Sequence, residues 1–226
     1  MWKSFLLHFN NTSFKNLCLN TLGFGLLASL ALPPYNIFVL FFISIACLFY
    51  SLTYTNLTKQ KAFILSYCWG YGFNLGSLYW VYNSLLVDID RYFWAIPLAI
   101  FGPALIFASY VALAGLLYSV IATKINKLGA IIAFTIIFCL CDYFKAVLFT
   151  GFPWNLYGYI FGGILPLAQT AQFITIYGLS VIAIFLSCII VYKRGIMLNM
   201  LILSLMFIYG VITLNLHPTQ YYNEVK

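Results

Sequence analysis

The chain is predicted to be all-α: a polytopic transmembrane helical bundle of about seven spans, N-terminus inside and C-terminus outside. Three observations support this. The 226 residues include only eleven Lys/Arg and four Asp/Glu, and 64% are hydrophobic. A soluble domain carries about 25% charged residues, against 7% here. The apolar residues fall in long runs, and about 20 of them cover the ~30 Å hydrocarbon core of a bilayer. Every second break between runs is basic, as in a chain that threads back and forth across a membrane.

The predicted spans are 17–35, 36–54, 62–82, 93–121, 128–148, 168–191 and 196–214. Pro33-Pro34 closes the first, because neither residue can extend a helix. The third holds Gly70, Gly72 and Gly76; the last two are four apart and form a small-xxx-small face that lets a second helix approach. The fourth run is too long for one crossing, so Pro97 and Pro103 are expected to bound a short outer segment lying in the interface. Around these spans the sequence divides into a cytoplasmic segment (1–16), a membrane domain (17–214) and an outer tail (215–226).

Orientation follows from the cations. Lys3, Lys15, Lys59, Lys61, Lys124, Lys127, Lys193 and Arg194 fall on one side, and Arg91, Lys145 and Lys226 on the other. The net charge of +7 is spread over four segments, which argues against nucleic acid as a partner. All six cysteines lie inside apolar runs without a C-x-x-C spacing and read as core packing. His8 and His217 sit at opposite ends, so no metal site is expected, and no cofactor motif is present. Asn56-Leu57-Thr58 matches a glycosylation acceptor but falls on the cytoplasmic side. A cleavable signal peptide is a rival reading of the first span, since Ser29-Leu30-Ala31 resembles a small-x-small site; the nearby Pro33 and the resumed apolar run oppose it.

Polar residues matter in such a chain because an Asp at a helix centre costs about 2.5–3.5 kcal/mol on insertion scales. They cluster on the outer side. Asp88, Asp90 and Arg91 follow the third span, Asp142 and Lys145 are three apart in the fifth, and Gln169 and Gln172 repeat that spacing at the start of the sixth. Asp142 with Lys145 reads either as a structural ion pair or as a site facing a lipid headgroup. The outer loop 149–167 is aromatic and broken by Gly and Pro, so it must pack on protein or lie at the interface. It reads either as a lipid-touching surface or as an aromatic belt.

Gly70-Tyr-Gly-Phe-Asn-Leu-Gly-Ser-Leu-Tyr-Trp-Val-Tyr82, Asp142-x-x-Lys145, Thr150-Gly-Phe-Pro-Trp154 with Tyr157-Gly158, Pro166-Leu-Ala and Tyr177-Gly-Leu-Ser180 together resemble the membrane part of bacterial apolipoprotein N-acyltransferase. Ala28 to Pro34 fits that family's first span, and the Thr-Gly-Phe-Pro-Trp loop is the specific part. Asp142 and Lys145 stand where the family pattern has Glu and Arg, and Lys is the poorer bidentate ligand. The resemblance implies an enzyme of the bacterial cytoplasmic (inner) membrane. It would move an acyl chain from a phospholipid to the α-amine of the diacylglyceryl-cysteine that begins a lipoprotein. A nitrilase-like domain on the outer face would do the chemistry with a Cys nucleophile, a Glu base and a Lys at the oxyanion, splitting one hard transfer into two easier steps. The resemblance also implies a lateral lipid entrance lined by Tyr79, Trp80, Trp154 and Tyr157, with Asp142 and Lys145 beneath.

No catalytic residue is expected in these 226 residues. Glu224 is the sole glutamate, no cysteine follows Cys188, and a thiol in hydrocarbon carries little thiolate. The expectation is therefore a truncated gene product, one part of a split enzyme completed by a separate nitrilase-like chain, or a sequence shortened by a frame error. Incubated alone with phospholipid and a lipoprotein acceptor, the chain should give no acylated product; turnover or a trapped thioester would refute this. A non-catalytic scaffold or a small lipid or solute transporter is the alternative, but no internal repeat or midplane ionisable residue supports it.

Overall fold

The structure is a computed structural model and describes residues 12–148 and 151–217. Among these residues there are helices and no strands. Seven helices of 16 residues or more follow the order of the predicted spans: α1 (Phe14–Ser29), α2 (Val39–Tyr54), α3 (Lys59–Leu78), α4 (Ile96–Ile121), α5 (Lys127–Val147), α6 (Ala171–Ile189) and α7 (Lys193–Leu216). Four helical segments are long and apolar enough to cross a membrane: Lys59–Lys124, Lys127–Val147, Ala171–Ile189 and Gly195–Leu216. At 16 residues each, α1 and α2 rise only ~24 Å, short of a ~30 Å hydrocarbon core.

Three of the helices begin on polar caps that satisfy their first free N–H groups. Ser13 Oγ accepts from the Asn16 N–H at 3.4 Å, Thr58 Oγ1 from Lys61 at 3.3 Å and Asn126 Oδ1 from Gly129 at 2.8 Å. Thr58 of the glycosylation-like triplet is thus the cap of α3. The predicted boundary 1–16 overlaps α1, which begins at Phe14, and α7 runs on to Leu216 at the start of the predicted tail. His8, Thr150, Glu224 and Lys226 lie outside the described residues.

The reading of the fourth run is corrected. Pro97 sits in the first turn of α4, where its missing N–H costs nothing, and Pro103 lies inside an unbroken 26-residue helix. The short irregular outer segment lies earlier: 3₁₀ turns at Tyr79–Asp88, a single turn at Ile89–Tyr92 and another at Phe93–Ala95. No residue of that segment is buried.

Close backbone approach organises the centre. Gly72 of α3 lies against the Leu22 carbonyl of α1, Gly25 of α1 against the Trp69 carbonyl, and Gly76 against Ser29. A side chain at any of the three would collide, so the small-xxx-small face is indeed a helix contact, and α1 is its partner. On the other side of α3, Gly70 meets Val111 of α4 and Gly115 of α4 meets Ser66. The Trp69 indole donates to Ser44 Oγ at 2.7 Å, and that hydroxyl donates to the Phe24 carbonyl at 2.6 Å, which ties α3, α2 and α1 together. Phe41, Trp69, Phe73 and Tyr157 pack ring on ring around this junction. By contrast, α7 buries a single stripe through Asn199, Met206 and Thr213, with Gly210 against the Pro166 carbonyl.

Candidate functional site

Asp142 and Lys145 project from the last turns of α5, three residues apart and so on one helical face. Their charged atoms, Oδ1 and Nζ, are 2.7 Å apart, and both side chains are buried. Lys145 in the final turn also faces the negative end of the helix dipole.

The ammonium is surrounded by protein oxygens. Besides the ion contact with Asp142, Lys145 Nζ donates to Asn155 Oδ1 at 2.9 Å and to the Asn155 carbonyl at 3.3 Å. The second oxygen of Asp142 accepts from the Tyr157 backbone N–H at 3.1 Å. Asn155 Nδ2 in turn donates to Asn74 Oδ1 at 2.8 Å and to Ser77 Oγ at 3.0 Å, while Asn74 Nδ2 donates to the Gly70 carbonyl at 2.7 Å. Asp142, Lys145, Asn155 and Asn74 are each at most 4% exposed. The cavity among Asn74, Cys141, Asp142, Lys145 and Tyr157 holds about 10 Å³, room for one water at most and none for a headgroup. This geometry is that of a buried ion pair clamping the outer loop.

The loop after α5 is held at three places. Gly151 takes a left-handed φ of 76°, open to glycine at little cost, and lies against the Ala146 carbonyl. The Phe152 N–H donates to the Lys145 carbonyl at 3.1 Å, and its ring stacks on Phe107 of α4 at 4.7 Å. Asn155 and Tyr157 join the network described above. Gly158 then presses on the Ile176 carbonyl and Leu179 of α6, with its N–H donating to Ser180 Oγ at 2.8 Å. Burial beside Asp142 pushes the Tyr157 phenol well above its ordinary pKa, so it stays protonated and serves as packing.

Between Phe152 and Asn155, the chain turns outward. Trp154 is 66% exposed, and its ring meets that of Trp80 edge-on at 6.5 Å. Tyr79 and Trp80 are half-exposed at the start of the irregular outer segment. Of the residues expected to line the entrance, Tyr79, Trp80 and Trp154 therefore lie on the surface. Tyr157 does not: it is buried among Phe41, Trp69 and Phe73, at the level of Asp142 and Lys145. Gln169 and Gln172 bond to each other at 3.0 Å. Asp88, Asp90 and Arg91 are exposed, with the Arg91 guanidinium over the Tyr92 ring. Among the described residues no three His, Cys, Asp or Glu come together in a way that could hold a metal ion.

Sequence reasoning missed Asn74, Ser77 and Asn155. The signal was present: an amide in the apolar middle of a Gly-rich span, and another directly after Pro-Trp, each costly unless paired.

Residues 24–189 match the model of the apolipoprotein N-acyltransferase N-terminal domain. The chain is 32% identical over 169 residues to apolipoprotein N-acyltransferase of Brucella melitensis, covering 71% of this chain and 31% of the relative. It is 32% identical over 221 residues to that of Rhizobium rhizogenes, covering 90% of this chain and 40% of the relative. With that of Agrobacterium fabrum the identity is 34% over 179 residues, covering 72% and 32%. The chain thus spans about a third of the length of the curated relatives it matches.

Proposed function

The chain belongs to the apolipoprotein N-acyltransferase family, and on that premise we propose that it forms the family's membrane platform and presents phospholipid to an acyl-transfer site. In this reading the seven long helices are seven spans of the bacterial cytoplasmic membrane, with the N-terminus inside and the C-terminus outside. The division of eight cations against three supports that orientation. The acyl donor is a phospholipid and the acceptor is the N-terminal diacylglyceryl-cysteine of a lipoprotein. Bond-making belongs to a nitrilase-like domain at the outer face, on the same polypeptide or a second one.

The observation that carries the reading is the position of Trp154. A loop pinned by a buried ion pair holds one large aromatic side chain out beside Trp80, at the outer end of helices apolar enough to lie in lipid. Indole rings suit the boundary between acyl chains and headgroups. Tyr79, Trp80 and Trp154 form the rim of the lateral entrance, and Asp142, Lys145 and Tyr157 form the foundation beneath it. The charged pair holds the rim in place and does not contact the headgroup.

In a reconstituted complete enzyme carrying this membrane domain, Trp154→Ala should lower kcat/KM for phospholipid about tenfold, equivalent to about 1.4 kcal/mol of lost contact. Trp94→Ala, at an exposed ring outside the rim, should change it little. Unchanged acylation in Trp154→Ala would mean that the rim is only an aromatic belt.

A further inference from the structure

Trp154 is fixed by its neighbours in sequence, because its own ring is mostly free. On one side stands Phe152, stacked on Phe107. On the other stands Asn155, whose side chain and backbone carbonyl make four hydrogen bonds to two different helices. From α5, Lys145 donates to its side-chain oxygen and to its carbonyl; in α3, Asn74 and Ser77 accept from its amide nitrogen. Ser77 lies three residues before Trp80, and the Trp80 indole donates to the Ser77 carbonyl at 2.9 Å. The residue that receives the Asn155 amide therefore also sets the orientation of the ring that Trp154 meets.

We propose that Asn155 is a positioning residue that registers Trp154 against Trp80, through Asn74 and Ser77 on one side and Lys145 on the other, and so sets the width of the lipid entrance. The second half of this statement rests on the functional reading above; the first does not. Lys145 and Asp142 alone could not do this, since they touch the loop only from α5, whereas Trp80 follows α3. The amide is suited to the task because it offers an acceptor to the ammonium and two donors to the opposite helix at once. A carboxylate in its place would keep the acceptor for the ammonium, and the Ser77 hydroxyl, which can donate as well as accept, would then donate to it.

The test uses this chain in nanodiscs whose phospholipid carries bromine on its acyl chains, which quenches indoles in contact with it. Hydrogen exchange of residues 151–161 and the part of the fluorescence quenching lost in Trp154→Phe are both measured. Asn155→Ala should speed exchange at the Tyr157 and Gly158 amides at least tenfold and change the Trp154 quenching at least twofold. Asn155→Asp should restore both towards the unaltered values, which a general loss of packing would not. Asn74→Ala should shift the same two readings in the same direction, and it provides the measurement if Asn155→Ala does not fold. Unchanged exchange and quenching in the alanine variants, or no restoration by aspartate, would overturn the positioning role. Absence of Trp154 quenching in the unaltered chain would overturn the lipid-entrance reading, while the exchange data would still decide the role of Asn155.

Discussion

Lys145→Met should destabilise the bundle by about 3–5 kcal/mol, because it removes the cation paired with a carboxylate that stays buried. The loss is twofold. Asp142 keeps its hydrogen bond from the Tyr157 N–H but loses its counter-charge, and Asn155 loses the donor to both of its oxygens. Methionine fills much the same volume as lysine, so a cavity contributes little and the change isolates the charge. Thermal or denaturant unfolding in detergent micelles would measure it. The double variant Asp142→Asn with Lys145→Gln should recover at least half of the loss, since a neutral pair can still accept from Tyr157 and donate to Asn155 without burying a charge. If Lys145→Met is neutral, the pair is not the clamp described above.

Gly72→Leu should cost about 3 kcal/mol or more and should part α1 from α3. An added Cβ meets the Leu22 carbonyl and lies 3.0 Å from the Leu26 nitrogen; both are backbone, which cannot move aside as a side-chain end could. Gly25, directly across the same interface, is blocked by the Trp69 carbonyl, so the two helices touch backbone to backbone. Gly23→Leu is the control: it adds the same side chain within α1 but meets nothing within 4 Å, so it should leave the unfolding midpoint almost unchanged. Equal effects from the two substitutions would show that helix propensity, not close approach, governs stability here.

Much of the arrangement was legible in the sequence. The long apolar runs gave the all-helical class, because hydrocarbon leaves a backbone no partner but its own helix. The i,i+3 spacing gave the Asp142–Lys145 pair, since that spacing is local helix geometry. The fourth run was misread because a proline can open a helix or sit within one without breaking it, and Pro97 and Pro103 do each. The aromatic composition of 149–167 could not sort its own residues. Among them Trp154 and Tyr159 point outward, whereas Tyr157 and Phe161 are buried, and which side a ring faces depends on what α2, α3 and α6 place beside it.

From sequence alone came the helical class, the membrane character, the family resemblance and the spacing of the charged pair. All four rest on composition or on contacts within a few residues. Only the tertiary structure decided that Asn74 and Asn155 meet from positions 81 residues apart, that Lys145 bonds to both oxygens of Asn155, and that Tyr157 is buried where Trp154 is exposed. The reason is that hydrogen-bond satisfaction and ring burial belong to groups brought together by packing, and the local pattern of residues does not carry that distance information.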